Sequence, residues 1–249
     1  QVSQGLLEVG LAPLGITASI DTLIFGLRLP YFFADMEEVD RALYEGGMLA
    51  AINEGLDGSG VQVLAVDTVG GATGIFNTRH PITAMEDMAD LRMRALDESQ
   101  IALFEAWGSN GTIVSWAEVP NALQTGVADG YLNPAFVPLL FGHTDFITHF
   151  TPAEISPSLR IVIGSEDWYE GLSEEDRATV DAAVDAANAA NRAWLGSQTG
   201  VYEQLEGAGV TITEMSPEAR AAFQEASAST YDDIVTPEQL AQWQAALGR

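Results

Sequence analysis

The stretch that decides the fold runs from residue 91 to residue 134; it opens with LRMR at 91–94 and closes with GVADGYLNP at 126–134. The alternation of apolar and basic residues in the opening predicts a short strand with both arginines on one face. The closing segment predicts a second strand that ends at Asn133, because Pro134 biases the residue before it to an extended backbone. Between the two strands, Ser115 and Glu118 have the spacing of a helix-capping box. Strand, capped helix and strand in this order indicate an α/β fold.

Arg94 is the candidate anion-binding residue, because it lies near the carboxyl end of its predicted strand. Ligands of open α/β sheets bind beyond those ends, and a guanidinium can hold a carboxylate with two charge-assisted hydrogen bonds. The alternative is that Arg92 and Arg94 form surface ion pairs with Asp90 and Asp97. Spacing alone slightly favours the surface pairs.

Two further side chains could contact the same ligand. Asn133 would offer an amide donor from a stiff backbone, although turn formation is the more common role of asparagine. Trp116 would either wall a pocket or belong to the core, and composition favours the core. Glu118 is best explained as the capping partner of Ser115, so it is not a candidate catalytic acid.

The chain carries far more acid than base. Of its 249 residues, 36 are Asp or Glu and 10 are Lys or Arg, which gives a formal net charge of −26. All ten basic residues are arginines. Nucleic acid and anionic lipid need a basic surface, so neither is expected as a partner. Adaptation to salt or solubility explains the acidity, and an acidic surface that meets a basic partner is the alternative.

The sequence lacks the residues and motifs that several classes of chemistry require. The chain has no cysteine, which excludes thiol catalysis, disulfides and cysteine-based zinc sites. The three histidines, His80, His143 and His149, do not have metal-ligand spacing. No G-x-S-x-G elbow or Walker loop is present, and the glycines at 70–74 are only a weak dinucleotide signal. We therefore expect no metal and no cofactor.

Strands and helices alternate along the rest of the chain. Apolar, β-rich runs predict strands at 61–66, 112–114, 160–163 and 210–213. The capping-box pairs Thr83–Glu86 and Thr236–Gln239 predict helix starts. From Ser173 to about Glu206 the pattern predicts one very long helix, or two helices separated at residues 196–200. Such a helix would link two lobes, which the chain length allows.

The motifs together resemble one family. These are LPYFF at 29–33, FNTRHPI at 76–82 and, most specifically, WAEVPNALQTGVADG at 116–130 followed by the Asn133-Pro134 pair. They resemble the solute-binding proteins of tripartite ATP-independent periplasmic (TRAP) transporters, the DctP-like family. The resemblance covers essentially the whole chain, and the segment from Ser173 matches the lobe-spanning helix of that family.

The resemblance implies a fold and a function. The fold is α/β and periplasmic-binding-protein-like, with residues 1–71 and 160–199 in lobe I, residues 72–159 and 200–249 in lobe II, and a long lobe-spanning helix. The function is capture of a small organic carboxylate in the periplasm and its delivery to the membrane components of a TRAP transporter. It implies a monomer that neither inserts into a membrane nor catalyses a reaction. A hydrolase or lyase using acids around the same site is the rival; a sensory domain would need a membrane tether.

The resemblance also assigns ligand-binding residues. Arg94 matches the arginine that grips the carboxylate, Asn133 an asparagine that contacts the ligand, and Trp116 an aromatic wall. Tyr131 and Leu132 replace the usual Gln-Glu; they alternate on a strand, so at most one faces the pocket, and Tyr131 is included as a candidate. Gly74 stands about where some sugar-acid binders carry another arginine. One arginine and an aromatic wall favour a monocarboxylate with an apolar, aromatic or keto-acid body.

The first residue bears on the same site. The chain starts with Gln1 rather than Met, which indicates a processed, trimmed or incomplete chain. A member of the family opens with a further strand and helix, and we expect these units, with some of the ligand contacts, to be missing from this chain.

Overall fold

The computed structural model describes residues 1–17 and 19–249, and it confirms the α/β fold. The strands are β1 Val9–Ala12, β2 Val61–Ala72, β3 Gly74–Asn77, β4 Arg92–Ala95, β5 Asn110–Ile113, β6 Gly130–Asn133, β7 His149–Thr151, β8 Pro157–Ser165 and β9 Thr211–Ile212. The α-helices are α1 Met36–Asp40, α2 Met48–Leu56, α3 Glu98–Ala106, α4 Val119–Thr125, α5 Val137–Phe141, α6 Glu166–Glu170, α7 Glu174–Gly196, α8 Val201–Gly207, α9 Pro217–Ala228, α10 Tyr231–Ile234 and α11 Pro237–Ala246.

The strands form two sheets, each with its own hydrophobic core. The first sheet has the order β1-β8-β2 and is antiparallel throughout. The second has the order β5-β4-β6-β3-β7-β9, and β4 runs parallel to both of its neighbours. One core cluster packs on the first sheet, and two clusters pack on the second. The described residues include no helix with the length and hydrophobicity needed to cross a membrane.

The predicted strands are present with shifted ends. The strand predicted at 61–66 continues to Ala72, with a break in register between Thr68 and Ala72. The strand predicted at 160–163 extends over the whole of β8. Residues 112–114 and 210–213 overlap β5 and β9, which pair in parallel with β4 and β7.

The segment from Ser173 forms two helices, which was one of the two alternatives. The 23-residue α7 ends at Gly196, and α8 begins after Gly200, whose positive φ of 73° favours glycine. Helix α7 lies on the first sheet, where the Asn191 amide exchanges two hydrogen bonds of 2.9 Å with the backbone of Thr68. Leu205 of α8 is buried in a core of the second sheet. The two consecutive helices therefore contact both sheets.

Helix caps agree with the sequence in part. Thr236 and Gln239 form the predicted reciprocal cap. The Ser115 hydroxyl donates to the Glu118 carboxylate at 2.7 Å, but the Ser115 side chain makes no hydrogen bond to the backbone, so the predicted capping box does not form there. At Thr83 the prediction of Glu86 as partner is wrong: the backbone N–H and hydroxyl of Thr83 both donate to Asp87, which closes a single 3-10 turn.

The C-terminal helix packs on the first sheet, whereas the expected division placed residues 200–249 in lobe II. Trp243 of α11 is fully buried in the first core and donates to the carbonyl of Leu23 at 2.9 Å. Gly26 makes room for it, since a Cβ there would lie 1.8 Å from the indole nitrogen. Burial of this large ring determines where α11 lies.

Candidate ligand-binding cleft

A cleft of about 860 Å³ lies between the two sheets and is lined by residues from both sides. Its walls are mostly apolar: Leu14 and Leu159 come from the core of the first sheet, and Leu103, Leu132 and Ile155 from a core of the second. A concave, largely apolar cleft with a few polar groups is the usual form of a small-molecule site. Only the polar groups can fix the orientation of a ligand there.

Arg94 enters this cleft from β4. Because β4 is parallel to β5 and β6, the carboxyl ends of the three strands meet at one edge, where open α/β sheets bind ligands. Arg94 is 6% exposed, and its Nε donates to the carbonyl of Val114 at 2.9 Å. Burial lowers the pKa of Arg94 and the charge of Asp97 opposes that shift, but a guanidinium stays protonated at neutral pH.

The alternative of two surface ion pairs does not describe Arg94. Arg92 pairs with Asp129 rather than Asp90, at 2.8 Å. Asp97 pairs with Arg28, and no carboxylate of the described residues forms an ion pair with Arg94. The two arginines of β4 therefore differ: Arg92 is held at the surface by a carboxylate, and Arg94 lies in the cleft without an ion-pair partner among the described residues.

Trp116 lines the cleft beside Arg94, although composition favoured the core. The guanidinium carbon of Arg94 lies 5.8 Å from the centre of the indole, within cation–π range. Phe141 packs edge-on against the same ring, with centroids 5.1 Å apart. The indole is therefore positioned as an aromatic wall next to the cation.

Asn133 also lines the cleft, at the carboxyl end of β6. Its side-chain Nδ2 is buried and has no hydrogen-bond partner among the described residues. A buried donor without a partner is costly, so a ligand acceptor would relieve that cost.

Tyr131 does not line the cleft; Leu132 does. Tyr131 is fully buried on the opposite face of β6, where its hydroxyl lies 3.2 Å from Nδ1 of His143. Its ring packs edge-on against Trp116 at 6.1 Å. Tyr131 therefore supports the aromatic wall from behind, and strand alternation points Leu132 toward the ligand.

Gly74 is likewise not part of the lining. A Cβ at this position would lie 2.4 Å from the ring of Phe150 and 2.7 Å from the carbonyl oxygen of Thr151. The glycine allows β3 to pack closely against β7. Its neighbour Thr73 lines the cleft instead.

Three charged cleft residues were not selected from the sequence. Arg28 and Asp97 form an ion pair at 2.5 Å between the side of the first sheet and the start of α3. Arg160, on β8, lines the cleft as well. No local signal marks them, because Arg28 and Asp97 are 69 residues apart and Arg160 sits in an ordinary strand pattern.

The pKa of Asp97 is set by two opposing effects. Burial raises it, but hydrogen bonds and charge from Arg28 outweigh burial and hold it below its usual value. Among the described lining residues, three arginines and this one aspartate carry charge, so the cleft has a net charge of +2. A chain of net charge −26 thus concentrates positive charge at one place.

The family of the chain follows from comparison with known proteins. The description of bacterial extracellular solute-binding proteins, family 7 (DctP), matches residues 1–239. The chain belongs to this family.

Individual relatives support this family assignment. A solute-binding protein of Chromohalobacter salexigens is 28% identical over 215 residues, which cover 84% of this chain and 62% of that protein. The ectoine-binding periplasmic protein TeaA of Halomonas elongata is 32% identical over 158 residues, which cover 58% of this chain and 44% of TeaA. The matched regions therefore span less than two thirds of these relatives.

The fold is shared with solved structures. A TRAP periplasmic solute-binding protein of Chromohalobacter salexigens with bound D-glucuronate superposes with a TM-score of 0.89 at 24% identity. That superposition covers 100% of this chain and 82% of the solved one. It confirms the predicted fold class.

Proposed function

We propose that this chain binds a small organic acid in the cleft and, as part of a periplasmic solute-binding protein, delivers it to the membrane components of a TRAP transporter. The observation that carries the proposal is the buried guanidinium of Arg94, which opens into the cleft without an ion-pair partner among the described residues. A carboxylate would supply the missing charge and two hydrogen-bond acceptors. Membership of the solute-binding family supports delivery to a transporter.

Each cleft residue makes a different contribution to ligand binding. Arg94 holds the carboxylate, Asn133 donates its free amide hydrogens to a ligand oxygen, and Trp116 packs on the body of the ligand. Tyr131 acts through Trp116, and Gly74 acts through the packing of β3. Leu132, rather than Tyr131, adds apolar contact from β6.

Binding without turnover is the activity we propose. Asp97 is the one carboxylate among the described lining residues, and its ion pair with Arg28 leaves it poorly placed to act as a general base. A hydrolase or lyase needs a nucleophile or base at the reacting atoms. The arrangement provides recognition and supports the binding function over the rival enzymatic one.

The preferred ligand type depends on how many cations the ligand meets. Trp116 and the apolar walls favour a monocarboxylate with an apolar, aromatic or keto-acid body. The preference for a monocarboxylate assumes that a single arginine, Arg94, faces the ligand. Arg160 is a second one, so a ligand with two acidic groups competes with the monocarboxylate.

A thermal-shift screen against organic acids tests the function. A ligand present at about a hundred times its Kd stabilises the native state by about 2.7 kcal/mol, which raises the Tm of a chain of this size by several degrees. We expect at least one acid to do so for the wild-type chain, and none to do so for Arg94→Ala. Equal shifts in both proteins, or no shift with any acid, would contradict the proposal.

A further inference from the structure

Arg160 forms no ion pair with a carboxylate of the described residues. It follows Leu159 on β8, and its Nη1 donates to the Leu159 carbonyl at 2.8 Å. Asp67 is its register partner on β2, but the charge that acts on Asp67 is that of Arg192 on α7.

The surroundings of Arg160 disfavour its positive charge. Burial lowers the pKa of Arg160, and the nearby positive charge of Arg28 lowers it further. Asp97 compensates Arg28, but it does not pair with Arg160. A desolvated cation beside a like charge is favourable only when an anion completes the site.

Arg94 and Arg160 approach the cleft from different sheets. Arg94 belongs to β4 of the second sheet, and Arg160 belongs to β8 of the first. Both line the same cleft of about 860 Å³, so one ligand can contact both. Because they belong to different sheets, the two arginines reach the cleft from opposite sides.

We propose that Arg160 is a second ligand anchor, and that it selects organic acids carrying a second anionic group remote from the carboxylate held by Arg94. This inference rests on the proposed binding function and adds a specificity-determining residue to it. A monocarboxylate would compensate Arg94 and leave the half-buried Arg160 without an anion. A ligand with two acidic groups compensates both.

Calorimetric titration with matched ligand pairs tests this role. Glutarate is compared with glutaramate, and succinate with succinamate; each pair keeps one carbon skeleton and differs in one negative charge. We expect the wild-type chain to bind the dianion of at least one pair at least tenfold more tightly. In Arg160→Gln that ratio should fall to about twofold or less, whereas Arg160→Lys should keep part of it.

Arg41→Gln is the matched control, since Arg41 pairs with Glu38 outside the cleft and its loss changes net charge equally. It should keep the wild-type ratio, and circular dichroism should show that all variants are folded. A ratio unchanged in Arg160→Gln, or equal binding of both members of each pair by the wild type, would overturn the role of Arg160 alone. Failure of the wild type to bind any acid would instead contradict the proposed function.

Discussion

Arg92 and Arg94 lie two residues apart on one short strand and have different environments. Asp129 holds Arg92 through three hydrogen bonds at the surface. Arg94 is buried, and among the described residues its side chain donates to one acceptor, the carbonyl of Val114. The sequence predicts that an arginine stands at the end of β4, but only the tertiary structure shows which of the two is left without a carboxylate.

Replacement of Arg94 should remove most of the ligand affinity. Arg94→Ala leaves the ligand carboxylate buried without its charged partner, which costs roughly 2–5 kcal/mol of binding free energy. Calorimetry with an acid identified in the screen measures this loss. Arg79→Ala, at an exposed arginine of the same part of the chain, should bind as the wild type does. Near-equal affinity of Arg94→Ala and wild type would show that the assignment is wrong.

Other residues show which features of the cleft the sequence patterns could not predict. Strand alternation limits the pocket to one of Tyr131 and Leu132 without saying which, and burial shows that it is Leu132. The resemblance places Gly74 about where some sugar-acid binders carry an arginine, but close packing of β3 against β7 explains why a glycine is needed there. Arg160 carried no pattern of its own, because its role depends on β8 passing beside the cleft.

At the scale of elements, the Arg28–Asp97 ion pair joins the two sides of the cleft. Arg28 ends a 3-10 segment packed in the first core, and Asp97 precedes α3 beside the second sheet. Their side chains are 15% and 34% exposed, so solvent screens the pair only in part. No local pattern could predict this contact across 69 residues.

Loss of this ion pair should favour an open cleft in the ligand-free protein. A partly exposed pair contributes on the order of 1 kcal/mol, so Asp97→Asn should lower the ratio of closed to open molecules about fivefold. The chain has no cysteine, so spin labels on cysteines introduced at the exposed positions Glu37 and Asn121 report one distance between the two sides. We expect a longer distance to gain population in Asp97→Asn.

The control for this experiment is Asp90→Asn, which removes the same charge from an exposed position outside the cleft. It should leave the distance distribution unchanged, and an unchanged distribution in Asp97→Asn would refute the bridging role. The pKa of Asp97 is below its usual value, so the ion pair is complete above the ordinary aspartate pKa and is lost only as the pH falls through the lower folded-state value. The experiment at neutral pH therefore compares fully charged groups.

At the scale of the whole molecule, most of the architecture follows from the sequence. The alternation of strands and helices predicts the α/β class, and the resemblance predicts the shared fold. The helix break at 197–200 was one of two alternatives, because glycines permit a break without requiring one. The position of α11 was not predictable, because it depends on the Trp243 ring packing directly against Gly26, which is distant in the sequence.

The division into two lobes remains a proposal, with α11 moved to lobe I. The proposed hinge comprises residues 69–73, residues 158–160 and the break between α7 and α8. Strand β2 loses register with β8 between Thr68 and Ala72, and the Gly70 backbone has a φ of 134°. A few such residues can absorb the rotation of one lobe against the other.

X-ray scattering with and without a bound acid is the most direct test of a two-lobed protein that closes on its ligand. We predict that the radius of gyration of the wild-type chain falls when an acid from the screen saturates it. Arg94→Ala at the same acid concentration should keep the ligand-free radius. An identical radius for the wild type with and without saturating acid would contradict closure on the ligand.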